Sequence, residues 1–187
     1  MERKPMPDKK NIPFTQVIDA LLDTTQPFPP HFLHRFSDLS DQELFLLKKA
    51  WSQIRTNRRE GLLEDLEELA EADTLLNFDN VAIFALDDED SVIRERAIQL
   101  LWETEDVKLA PRFIKIMEND PVERVRAAAA AILGQFVYLG ELDQIPTAIH
   151  EKVEESLLEQ FTKNEAKLIR RKALESLGYS GRDEAGA

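Results

Sequence analysis

DPVERVRAAAAAILG, residues 120–134, runs five consecutive alanines between Arg126 and a bulky apolar end. The chain has leucine in abundance, so a helix built on side chains that bury so little area calls for a geometric reason. With about 100° per residue, taking Ala129 as the inward direction puts Val122, Val125, Ile132, Leu133 and Phe136 within about 60° of it. Ala128 and Ala130 then fall roughly 100° to either side, where the helices stacked before and after would lie. Methyl-sized flanks let neighbouring axes approach near the short end of the usual 8–10 Å range. Alanine also has the best helix propensity and loses no side-chain entropy on folding. The five alanines therefore read as packing residues in the middle of a helical stack.

Two more segments align with this one without gaps. DEDSVIRERAIQLLW starts at Asp88 and NEAKLIRRKALESLG at Asn164. An apolar β-branched residue precedes an arginine in each: Ile93–Arg94, Val125–Arg126, Ile169–Arg170. Alanine follows three residues later (Ala97, Ala129, Ala173) and leucine four after that (Leu101, Leu133, Leu177). Asp88, Asp120 and Asn164 stand six before the arginine, a place suited to capping a helix start. The repeat spacings are 32 and 44 residues, a scale at which self-similarity indicates a helical solenoid. Each arginine falls on a border facing an adjacent repeat, where a buried unpaired guanidinium would be costly. Acidic or capping residues of its own or the next repeat are its expected partners.

This pattern, Asp then Val-Arg or Ile-Arg then Ala and Leu-Gly, resembles the HEAT-repeat proteins, especially the short form first noted around phycobilin lyases. The resemblance covers about residues 59–178. It implies an all-α fold: paired antiparallel helices stacked into a right-handed α-α superhelix, with second helices lining a concave surface. It also implies an inter-repeat ladder that maps here to Asp88, Arg94, Asp120, Arg126, Asn164 and Arg170, with Asn164 departing from the acidic position. The second helices would be FDNVAIFAL, KLAPRFIKIMEN and IPTAIHEKVEESLLEQF. Exposed positions on them, Asn80, Arg112, Lys115 and Glu154, are the expected partner contacts. The twelve additional residues of the long unit fall between Gly134 and Glu151, lengthening the YLGELDQIP connection and the helix after it.

Outside the repeats, residues 1–12 read as a flexible tail and 13–57 as a helical N-terminal cap punctuated by prolines. PFTQVIDALLD puts Pro13 at a helix start, and Ser40 and Glu43 stand at capping-box spacing ahead of Leu44, Leu47, Trp51 and Ile54. Repeats occupy 58–178, with signature helices near 90–102, 121–138 and 165–177. Residues 179–187 form a tail or open a truncated further repeat. No second helix follows to cover Ile169, Ala173 and Leu177, so either the chain is part of a longer array, which is the expectation, or a partner covers that end.

Charge restricts the partners. Thirty-six Asp and Glu against 24 Lys and Arg give a formal charge of −12, a field that repels phosphate backbones. No nucleic acid is expected, and the basic cluster Lys48, Lys49, Arg55, Arg58 and Arg59 runs directly into an acidic helix. Cysteine is absent, which removes disulfides, thiolate metal sites and a cysteine nucleophile. No apolar run approaches the roughly 18–20 residues that span a bilayer, and no signal-peptide pattern opens the chain. The expected localisation is cytoplasmic.

Candidates for chemistry are few. His31 and His34 have chelating spacing, with Asp38 and Asp41 nearby, but sit among Phe32, Leu33 and Phe36 and read as ordinary histidines. His150–Glu151 is a single His-Glu pair, whereas the HEAT-repeat deoxyhypusine hydroxylases that this architecture resembles hold iron with several. HEAT-like DNA glycosylases resemble the chain in helical stacking only, and a bilin lyase relation rests on the repeats alone. Phosphate loops and catalytic triads are missing. The reading is a non-catalytic scaffold without cofactor or metal that binds another protein bearing a basic segment. The alternative is an enzyme or enzyme subunit on the same solenoid, acting on bilins or nucleic acid.

Overall fold

The computed structural model describes residues 12–163 and 166–181. Every regular element among them is helical. The chain divides into two compact units, residues 1–100 and 101–187.

The first unit begins with α1 (Phe14–Leu22), a 3-10 helix (Pro30–Phe36) and α2 (Asp41–Trp51). Prolines set these boundaries: Pro13 precedes α1, and Pro30 opens the 3-10 helix, where its missing N–H has no helical partner to lose. The cap packs on rings: Phe14 meets Phe36 edge-on at 5.6 Å, and Phe28 stands 6.0 Å from Phe32. The capping box on α2 forms as its spacing predicts: Glu43 N–H donates to Ser40 Oγ and Ser40 N–H to Glu43 Oε2. Three helices follow, α3 (Thr56–Ala72), α4 (Asp79–Ala85) and α5 (Ser91–Leu100). Leu62, Leu63 and Leu66 bury the inner face of α3, and α3 lies beside α5, which also receives α4. FDNVAIFAL is thus a buried helix, with Val81, Ala82 and Ala85 inside.

The second unit contains a 3-10 turn (Val107–Leu109), α6 (Ala110–Asn119), α7 (Glu123–Glu141), α8 (Thr147–Thr162) and α9 (Lys167–Leu177). The alanine-rich α7 is its centre, touching α6, α8 and α9. Val125, Ala129, Ile132, Leu133 and Phe136 are buried, as the helical geometry requires, with Phe136 6.0 Å from the Phe113 ring of α6. Ala130 is buried against α9: its carbonyl accepts a 2.8 Å hydrogen bond from Ser176 Oγ. Gly134 lies so close to α9 that a Cβ there would stand 2.9 Å from Ser176 Oγ. Ala128 is half-buried.

The sequence places the end of this helix too early. YLGE continues α7 to Glu141, and only five residues, 142–146, connect it to α8. Two hydrogen bonds stop it: Asp143 N–H donates to the Gly140 carbonyl and Gln144 N–H to that of Leu139. With Asp143 left-handed at φ 57°, this is a Schellman stop, and aspartate is among the few side chains that tolerate the conformation.

Candidate functional site

Asp88 is a buried carboxylate that accepts three hydrogen bonds. Its Oδ2 accepts from Trp51 Nε1 at 2.5 Å and from Arg59 Nη1 at 2.6 Å, and its Oδ1 accepts from Asp90 N–H at 2.8 Å. Asp88 and Arg59 are both buried, 7% and 5% exposed. The pair joins the start of α3 to the turn before α5. Sequence reasoning put Arg59 in a basic cluster and missed this role. The signal was present: Arg59 stands seven before Leu66, the same interval as Arg94 to Leu101. Leu62 replaces the alanine and Arg58 the β-branched residue, which hid the match.

The other arginines reach back to main-chain carbonyls six to nine residues earlier. Arg94 Nη1 donates to the Asp88 carbonyl at 2.9 Å, Arg126 Nη1 to that of Asp120 at 2.8 Å, and Arg170 Nε to that of Phe161 at 3.2 Å. Asp120 Oδ1 meanwhile accepts from Val122 N–H. Arg94 and Arg126 therefore close the turns leading into their own helices, while Arg170 meets a carbonyl that the last turn of α8 leaves open. Asn164 lies outside the described residues.

A concentrated negative surface lies along α3. Glu64, Asp65, Glu68 and Glu71 are exposed there, with Glu60 and Glu67 half-buried. Partial burial, with the like charges of Glu68 and Glu64 beside it, raises the Asp65 carboxyl above its ordinary value. Burial also raises Glu67, assisted by Glu71 and Glu64, although Arg96 pulls the other way. Arg96 reaches from α5 to Glu64 at 3.0 Å and Glu67 at 3.4 Å. The α3 face thus carries more negative charge than Arg96 offsets.

The expected contact residues separate. Lys115 on α6 is exposed, Arg112 half-buried, and Asn80 exposed with its amide donating to the Leu39 carbonyl. Glu154 must be corrected: it is 2% exposed, turned into the second unit towards His150, and offers nothing to a partner. Its place on the polar-looking run HEKVEES concealed this, because α8 is enclosed on the side that carries Val153, Glu154 and Leu157. Glu151 is exposed, so the sequence-adjacent pair His150–Glu151 does not converge. His31 stacks edge-on against Phe32 at 4.4 Å and is exposed, and His34 is half-buried.

Short helices in which the same arginine, alanine and leucine intervals recur on α5, α7 and α9 define a class, the α-helical repeat proteins. The sequence pattern of HEAT repeats matches residues 80–178, more than half of the chain. The protein belongs to the HEAT-repeat family. No protein of curated function matches the sequence. No helix among the described residues is long and apolar enough to cross a membrane.

Proposed function

We propose that the chain is a non-catalytic scaffold that binds another protein through a basic segment of that partner. HEAT repeats are typically protein-interaction scaffolds, and their stacked helices offer broad, preformed surfaces. The observation that carries the reading is the α3 face, where Glu64, Asp65, Glu68 and Glu71 are exposed together. A surface held at such potential steers cationic partners and rejects anionic ones. The net charge of −12 acts in the same direction. The reading also takes residues 13–57 as a cap, 58–178 as the repeats and the cytoplasm as the setting. Asn80 and Lys115 are secondary contact candidates.

The test is anisotropy of a labelled lysine- and arginine-rich peptide titrated with the full chain. Binding that weakens as salt rises, and that falls at least tenfold in Glu68→Lys/Glu71→Lys, supports the proposal. An α3 charge reversal without effect on the peptide would remove α3 as the docking face.

A further inference from the structure

The second unit brings together three metal-ligating side chains that are not neighbours in sequence. Glu141 ends α7, while His150 and Glu154 stand one turn apart on α8. His150 Nε2 is 3.6 Å from Glu141 Oε1 and 3.6 Å from Glu154 Oε1. Such lengths exceed a hydrogen bond, and Nε2 is buried with no hydrogen-bond partner. A buried ring nitrogen aimed between two carboxylate oxygens without bonding either one calls for a third group.

The spacing identifies it. Zinc bonds nitrogen and carboxylate oxygen at about 2.0–2.2 Å, so adjacent ligand atoms of a tetrahedral zinc lie about 3.3–3.6 Å apart. The three ligand atoms here all lie within 4.8 Å of one another. One imidazole with two carboxylates suits zinc better than calcium or magnesium, which favour all-oxygen shells.

The surroundings are built for the cluster. Gly140 gives the imidazole its place: a Cβ there would come within 2.2 Å of His150 Cγ and Cδ2. Both facing oxygens are also held from outside. Gly181 N–H donates to Glu141 Oε1 at 2.9 Å, and Ser180 Oγ–H donates to Glu154 Oε1. Hydrogen bonds of this kind orient carboxylate ligands at metal centres. Glu154 is almost wholly buried, whereas the Glu141 side chain is 34% exposed and gives the ion a route in.

We propose that Glu141, His150 and Glu154 form a zinc site with three protein ligands and a fourth position for water. Bound zinc joins the end of α7 to α8 and, through Ser180 and Gly181, holds the turn after α9 against them. The proposal is independent of the scaffold reading.

The experiment titrates zinc into tag-free, chelator-treated full-length protein by calorimetry and records the visible spectrum with cobalt in its place. One zinc per chain, tetrahedral cobalt bands and a thermal midpoint that rises with zinc are expected. His150→Gln and Glu141→Gln should each weaken binding at least tenfold, and His31→Gln/His34→Gln should leave it intact. Glu141→Gln changes a partly exposed side chain, so it remains a test if His150→Gln does not fold. Absence of stoichiometric binding, binding unchanged in Glu141→Gln, or binding lost in the His31/His34 variant overturns the site.

Discussion

At Asp88 one carboxylate oxygen takes an indole N–H and a guanidinium N–H, and the other takes a main-chain N–H. The aspartate is therefore both a turn residue and the anion that makes a buried Arg59 tolerable. Removing one partner of a buried ion pair leaves a desolvated charge, at a cost of about 3–5 kcal/mol. Asp88→Asn keeps the shape but loses the charge and presents an amide to two donors. It should lower the free energy of urea unfolding by that amount. The capping box of α2 is more exposed and contributes less: Ser40→Ala should cost about 1 kcal/mol. Burial pushes the Glu43 carboxyl up, but hydrogen bonds from Ser40 and Arg35 outweigh it and hold the group below its ordinary value of 4.5. A carboxyl depressed by folding stabilises the fold above its unfolded pKa and loses that contribution as pH falls through the folded value. The stability deficit of Glu43→Gln should therefore be complete at neutral pH and shrink on acidification below about 4.5, as pH-dependent denaturation will show.

Among the helices, two glycines give opposite expectations for one substitution. Gly61 lies within α3 with nothing inside 4 Å of where a Cβ would stand, so Gly61→Ala should stabilise by about 0.5–1 kcal/mol through backbone entropy. Gly134 in α7 faces Ser176, whose Cα would lie 3.2 Å from the new methyl. That contact is with backbone, so α9 must move, and Gly134→Ala should destabilise by about 1–3 kcal/mol. Thermal unfolding of the two variants side by side checks the difference in sign. On α3, Asp65 is raised by burial and by Glu68 and Glu64. A carboxyl raised by folding destabilises above both pKa values, and the penalty disappears once both states are protonated. Because Asp65 is exposed and solvent screens its neighbours, Asp65→Asn should stabilise the protein by no more than a few tenths of a kcal/mol at neutral pH and not at all in acid. The repeat helices were legible because the Arg, Ala and Leu intervals report one buried stripe. The end of α7 was not, because Tyr138-Leu139-Gly140 reads equally as a helix end. Only the Schellman bonds at Asp143 and the imidazole packed on Gly140 decide it.

For the whole molecule, charge is the property that composition already fixes. A chain of −12 should bind cationic peptides with an affinity that falls as salt rises, because exposed carboxylates are screened within about 8–10 Å at physiological ionic strength. Sequence alone determined the all-helical class, the HEAT repeat, the packing role of the alanines and the acidic balance. Each is a property of local intervals or of summed charge, and neither depends on which distant residues meet. Tertiary structure decided the rest: that Arg59 answers Asp88, that Glu154 turns inward, and that Glu141, His150 and Glu154 converge. Those pairings depend on where helices end and which faces their neighbours cover, a matter of packing between elements that no interval along the chain encodes.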